Sequence, residues 1–183
     1  AARGGDTEAV PLVDAVKVLR GLGVEFGYLA EDEPCCGGLL HYIGMQQDFA
    51  RNANEVYKKL KSRGVKQIIA IVPSCTYTLQ SLIPSCVEGY DIKVKHFSEA
   101  VLERIGTKEL RFPEEVKVVY HDPCQMGRFL KLTDPPRQIL KAIKGIDLVE
   151  PEWTKGEWAT CCGGGGGFEA VFPELSHVLA VNR

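Results

Sequence analysis

The chain has 183 residues, 45% of them hydrophobic and 25% charged, with a formal net charge of −2. This fits a soluble globular protein of one good-sized domain or two small halves. It excludes a polybasic nucleic-acid binder, no apolar run approaches the roughly 20 residues of a membrane span, and no secretory signal pattern is present.

Residues 11–22 open on Pro11 and carry Leu12, Val13, Val16, Leu19 and Leu22 at helical spacing, with Gly23 as the stop. Val24–Leu29 reads as a strand, and an acidic turn at Glu31-Asp32-Glu33-Pro34 follows. A helix is expected from Gln46 to Arg63, with Phe49, Ala53, Val56, Tyr57 and Leu60 on one stripe and Gly64 as its cap. Residues 65–72 form a nearly unbroken apolar run, as in a central parallel strand buried on both faces, ending at Pro73-Ser74-Cys75. A helix over 76–85, a strand over 92–97 and a helix over 98–105 come next. Residues 107–115 read as a charged connector between halves. A strand over 116–120 ends at His121-Asp122-Pro123-Cys124. A helix over 136–144, a strand over 146–149, a tryptophan-bearing loop and a last helix from Phe168, broken at Pro173, complete the chain. Strands alternating with helices predict an α/β fold with mainly parallel sheets. The cysteines fall at or beyond strand ends, where such sheets place their ligands.

Seven cysteines are present: Cys35, Cys36, Cys75, Cys86, Cys124, Cys161 and Cys162. An odd count with two adjacent pairs does not suit a secreted disulfide framework; a reducing compartment and metal-binding or redox-active thiols do. Adjacent cysteines bond each other only through a strained ring, but both can turn sulfur to one metal centre. Each doublet runs into glycine, Cys35-Cys36-Gly37-Gly38 and Cys161-Cys162-Gly163-Gly164. Glycine lets the backbone come close and adopt positive φ. Iron, zinc and plain buried cysteines all remain readings of the doublets at this level.

The order helix, glycine, strand, loop, Cys-Cys-Gly-Gly occurs over 10–38 and again over 135–164. Shifted by the spacing between doublets, Cys124 would have its counterpart just before Ala1, and Cys75 near position 201, beyond Arg183. The sequence therefore reads as an excerpt of a longer protein, carrying two copies of one motif cut at opposite ends. The expected division is 1–106 for the first half, 107–115 for the connector and 116–183 for the second half.

These residues resemble the CCG, or cysteine-rich, domain of heterodisulfide reductase B/D-type proteins. Similar domains occur in iron–sulfur subunits of glycolate oxidase, lactate-utilisation, anaerobic glycerol-3-phosphate dehydrogenase and sulfite-reduction-associated complexes. The family pattern is Cys, thirty-odd residues, Cys-Cys-Gly, thirty-odd residues, Cys-x-x-Cys, usually in tandem. Both doublets match it, His121-Asp122-Pro123-Cys124 with Gly127-Arg128 matches the second copy's opening, and Pro73-Ser74-Cys75 matches the first copy's closing pair. The resemblance implies two tandem Rossmann-like halves related by a pseudo-two-fold. It implies a noncubane [4Fe–4S] cluster held by cysteines, with Cys35, Cys36, Cys75, Cys124, Cys161 and Cys162 as ligand candidates. The implied activity is that of an oxidoreductase subunit, in electron transfer and disulfide or heterodisulfide reduction. The implied partners are subunits or segments carrying cubane clusters. The implied location is cytoplasmic, peripheral to a membrane complex.

The chain departs from the pattern at Cys75-Thr76-Tyr77-Thr78, where Thr78 replaces the closing cysteine. Cys161 and Cys162 are therefore the stronger cluster candidates, and Cys35 and Cys36 belong to a degenerate copy or a zinc site. The rival function is a degenerate module acting as scaffold or docking surface, with structural zinc. Gly163 and Gly164 are expected to bring backbone N–H groups to the cofactor. His121 is either a turn-forming residue or a proton donor, and His41 either loop-solvated or a substitute ligand. Arg128 is either an anion-binding residue or half of an ion pair. Trp153 and Trp158 are expected to pack under their loop, Cys86 to be buried, and the Lys58-Lys59, Lys61, Arg63 cluster to face water.

Overall fold

Apolar residues at helical spacing organise the first half. The structure is a computed structural model that describes residues 10–106 and 108–182. Residues 1–9 of the first half, Thr107 of the connector and Arg183 lie outside the described residues. Helix α1 (Val10–Gly21) buries Ala15 and Leu19. Val24 and Phe26 then alternate inward as in a strand, against Leu19, Ala100 and Val101. No neighbour pairs with them among the described residues, so 24–29 is loop. After the short helix α2 (Gly38–Tyr42), helix α3 (Gln46–Ser62) buries Phe49, Ala53, Val56 and Leu60 on one stripe, as its spacing predicts. That stripe meets Ile83, Val87 and Ile92. Each large apolar side chain buried this way stabilises the fold by about 1.5–3 kcal/mol.

Two parallel two-stranded sheets follow, joining β1 (Gln67–Ala70) to β2 (Lys93–His96) and β3 (Leu110–Val119) to β4 (Ile143–Val149). Parallel pairing with helical crossovers makes the fold α/β. The run over 65–72 is not a central strand buried on both faces: only Gln67–Ala70 forms, β2 is its one neighbour among the described residues, and Val72 is exposed. Strand β3 begins at Leu110, within the segment read as connector. Its register shifts between Arg111 and Val116, around Pro113, which has no N–H to donate.

Helix α4 (Pro73–Tyr77) starts on a proline, as suits a first turn, and widens into a π-helical turn over Thr78–Leu82. Thr76 and Thr78 donate their hydroxyls to the carbonyls of Val72 and Ser74, four residues back, which competes with the helical ladder and opens it. A second π-helical turn, Gln125–Leu130, directly follows Cys124. Helix α5 (Phe97–Ile105) packs on both α1 and α6 (Asp134–Lys141), and Ile139 of α6 joins the cluster around Leu19, Ala100 and Val101. Helix α4 packs on the Gln125–Leu130 turn, with Tyr77 edge-on to Phe129 at 5.0 Å. The chain ends in α7 (Phe168–Val171) and α8 (Pro173–Val181), separated at Pro173 as expected. No helix among the described residues is long and apolar enough to cross a membrane.

Candidate metal and redox centre

In the first half the doublet turns sharply because Gly37 takes the left-handed conformation, φ 74°, before α2. A side chain there would be strained, and its Cβ would fall 2.2 Å from Nδ2 of Asn52. Asn52, on α3, donates that same amide to the Cys35 carbonyl at 3.2 Å, so α3 holds the doublet's backbone. The turn delivers Cys36, half-buried, to Cys75 on α4, with the two Sγ atoms 3.3 Å apart. Thr78, fully buried, stands beside them: a Cβ on Gly38 would lie 2.5 Å from its Oγ1. The Cys36 thiol is pulled down to about 6, first by the Cys75 thiol and then by the Gly38 N–H and Thr78 hydroxyl, against burial. The Cys75 thiol is pushed up by the same contact, by burial, and by charge at Cys36, Cys35 and Glu33. Thr78 has one proton, which serves Ser74 or Cys36 but not both. Tyr42, on α2, donates its hydroxyl to Oε1 of Gln125 at 3.3 Å, linking this site to the residue next to Cys124.

The second half repeats the turn. Gly163 is left-handed, φ 81°, and a Cβ on it would fall 2.6 Å from the Ser176 carbonyl oxygen of α8. Its N–H donates to Sγ of Cys161 at 3.4 Å, and its carbonyl accepts from Ser176 Oγ at 2.9 Å. Gly164 is exposed, with Cys162 Sγ 4.0 Å from where its Cβ would be. Cys124 arrives from the end of β3 and the exposed Cys161 and Cys162 from the loop beyond β4. Burial, then charge at Cys161 and Cys162, raise the Cys124 thiol.

What fixes these loops is a buried ionic clamp. Asp122, 1% exposed, accepts two hydrogen bonds from the Arg137 guanidinium (2.7 and 2.6 Å) and one from the Gly156 N–H (2.6 Å). Arg137, on α6, also binds Glu150 at the end of β4 through Nε (2.6 Å) and Nη2 (3.0 Å), donates to the Thr133 carbonyl, and lies over the Tyr120 ring. Burial alone would raise the Asp122 carboxyl; Arg137 and the Gly156 N–H outweigh it and hold it below the usual range. The clamp ties the segment before Cys124 to the segment before the second doublet.

Several expectations change here. Arg128 has no carboxylate partner among the described residues; it donates to the carbonyls of Glu157 and Ala159 and pins the loop leading to Cys161. Trp153 and Trp158 do not pack under that loop but are 79% and 82% exposed. His41 is not loop-solvated: its ring meets Tyr42 and Phe49 edge-on, and its buried Nδ1 has no hydrogen-bond partner among the described residues. His121 is half-buried beside Asp122. Cys86 is half-buried at the edge of the α3 core. Lys58, Lys61 and Arg63 face water as expected, with Lys59 and Arg63 paired to Asp32 and Lys61 to Asp91. Arg137, Asn52, Tyr42 and Gln125 escaped the sequence reading. Only Asp122, a carboxylate bound for burial at a strand end, hinted that a cation must meet it.

A family model of the cysteine-rich domain, CCG, matches residues 7–80 and again residues 118–183. The chain belongs to the CCG family. Among its relatives, the D subunit of the dihydromethanophenazine:CoB--CoM heterodisulfide reductase of Methanosarcina mazei is 32% identical over 91% of this chain and 42% of its own length. The probable iron-sulfur-binding oxidoreductase FadF of Bacillus subtilis is 31% identical over 93% of this chain and 24% of its own. The EtfAB:quinone oxidoreductase of Syntrophomonas wolfei is 34% identical over 83% of this chain and 21% of its own. The CCG chain thus spans less than half the length of each of these relatives. No solved structure matches it.

Proposed function

We propose that this CCG chain is part of an iron–sulfur oxidoreductase subunit, with Cys124, Cys161 and Cys162 giving thiolates to a noncubane-type [4Fe–4S] cluster. The observation that carries the reading is the match of the cysteine-rich family model to residues 118–183, which hold Cys124 just beyond β3 and the second doublet in the loop after β4. In kind, the donors fit: soft thiolates are what iron–sulfur clusters take. In number they fall short, because no group of three Cys, His, Asp or Glu side chains among the described residues is placed to hold a metal ion by itself. Further ligands must complete the set. When bound, such a cluster supplies single electrons for transfer and for cleavage of a disulfide. The Gly163 N–H faces a ligand sulfur and stabilises its negative charge. His121, three residues before Cys124, holds a proton for the thiol product. Partner subunits or segments with cubane clusters deliver the electrons, in the cytoplasm at the side of a membrane complex.

In the test, the protein is purified without oxygen and its iron and acid-labile sulfide are measured. The reading expects a brown protein that gives a paramagnetic signal on oxidation, with iron lost in Cys161→Ser and kept in Cys35→Ser. A colourless protein carrying stoichiometric zinc would sink it and favour the second reading, a scaffold module with structural zinc. That alternative draws on Thr78, which removes a thiol from the first half.

A further inference from the structure

The first half is a poor cluster site and a good dithiol. Its closing pair has lost one sulfur to Thr78, and that threonine is not free to be a ligand: it is fully buried, bonded to Ser74 and packed against Gly38. What remains at the centre is one pair of sulfurs, Cys36 and Cys75, in direct contact at 3.3 Å although 39 residues apart in sequence. Two thiols held that close need only a small approach to reach the bonding distance of about 2.05 Å. Neither is sealed off, since both are half-buried and the neighbouring Cys35 is exposed.

We propose that Cys36 and Cys75 form a metal-independent thiol–disulfide exchange site that takes low-molecular-mass disulfides as its oxidant. The surroundings assign the two roles. Cys36 rides on the turn at Gly37, next to the exposed Cys35, and is the attacking atom. Cys75, on the rigid first turn of α4, is the resolving thiol. In the first step the Cys36 thiolate attacks one sulfur of the substrate RS–SR. A Cys36–SR bond forms, the S–S bond breaks, and RS⁻ leaves and takes a proton from water. In the second step Cys75 gives up its proton and its sulfur attacks Cys36, breaking the bond to SR. The second RS⁻ leaves with the Cys75 proton. Overall, two electrons pass from the protein dithiol to the substrate disulfide, giving two RSH and one Cys36–Cys75 disulfide. The segment needs no Cys-x-x-Cys for this, because the tight turn at Gly37 and the α4 start supply the proximity that the motif gives elsewhere.

The site is independent of any cluster in the second half, so the two ideas fail separately. The full chain is equilibrated without oxygen in graded ratios of reduced and oxidised glutathione, free thiols are alkylated, and the cysteines are mapped by mass spectrometry. The expected result is a Cys36–Cys75 linked peptide that appears and disappears reversibly, and is retained in Cys35→Ser and Cys161→Ser. In Cys75→Ser, glutathione should instead accumulate on Cys36; in Cys36→Ser, both the link and the adduct should vanish. Three results would overturn the proposal: both thiols stay alkylatable across the whole series; Cys36 links to another cysteine in the unsubstituted chain; or one tightly held zinc per chain shields both thiols and is lost in Cys36→Ser. Iron and sulfide content, read on the same samples, reports on the second half alone.

Discussion

Replacing Arg137 by methionine should destabilise the protein out of proportion to a single surface charge. Arg137 is 13% exposed and Asp122 1%, so the pair lies inside the fold. Methionine keeps much of the side-chain volume over Tyr120 but leaves Asp122 with the Gly156 N–H as its remaining partner among the bonds described above. Stranding one charge of a buried pair costs about 3–5 kcal/mol, against 0–1 kcal/mol for an exposed pair. The sign with pH follows from the same contacts. In the unsubstituted chain the Asp122 carboxyl titrates below its ordinary value of 3.8, so its contribution is present above that value and is lost as pH falls through the lowered one. Without Arg137, burial dominates and the carboxyl titrates above 3.8. The loss in Arg137→Met should then be largest near neutrality and shrink as acid protonates the stranded group. Urea unfolding at several pH values measures this. Asp122→Asn combined with Arg137→Met should cost less than the two single changes added together. A loss below about 1 kcal/mol, or a double mutant that is simply additive, would refute the buried-clamp argument.

Two further outcomes follow from the local geometry. Gly163→Ala puts a Cβ on a left-handed residue and against the Ser176 carbonyl, whereas Gly165→Ala meets open space and has no positive φ. Urea unfolding should show about 1–3 kcal/mol lost in the first and under about 0.5 kcal/mol in the second; equal losses would contradict the packing described. His96 caps α5 with its ring buried between Ser98 and the Ile71 carbonyl, and burial lowers its pKa below 6.5. The fold therefore holds it neutral while the unfolded chain takes up a proton, so stability should decline from about pH 7.5 to about pH 5.5. Thermal melts should show this slope flattened in His96→Asn, a residue that can still cap; an unchanged slope would assign the pH dependence elsewhere.

The parts of the site that were legible in sequence are those where chemistry is concentrated in neighbours. The Cys-Cys-Gly runs announce a turn and paired sulfurs, and Thr78 stands by identity where the resemblance expects a cysteine. Helix α3 was legible because its stripe at Phe49, Ala53, Val56 and Leu60 needs no knowledge of what covers it. Val24–Leu29 misled because inward alternation arises from burial and does not require a pairing partner. Arg137 carries no local signal: it opens an ordinary polar helix face, and only the fold brings it to Asp122, fifteen residues earlier, and Glu150, thirteen later. The exposed Trp153 and Trp158 defy the same logic from the other side, since large aromatics are expected inside.

The contacts of Tyr42 with Gln125 and of Tyr77 with Phe129 bear on how such a tandem protein can be cut or diversified. The stretches 7–80 and 118–183 repeat in sequence like interchangeable cassettes. In space each lends side chains to the other. A change that abolishes one copy's chemistry therefore leaves that copy with architectural work, and excising it would strip Phe129 and Gln125 of their neighbours beside Cys124. Whatever its own chemistry, the first copy thus also braces the surroundings of Cys124.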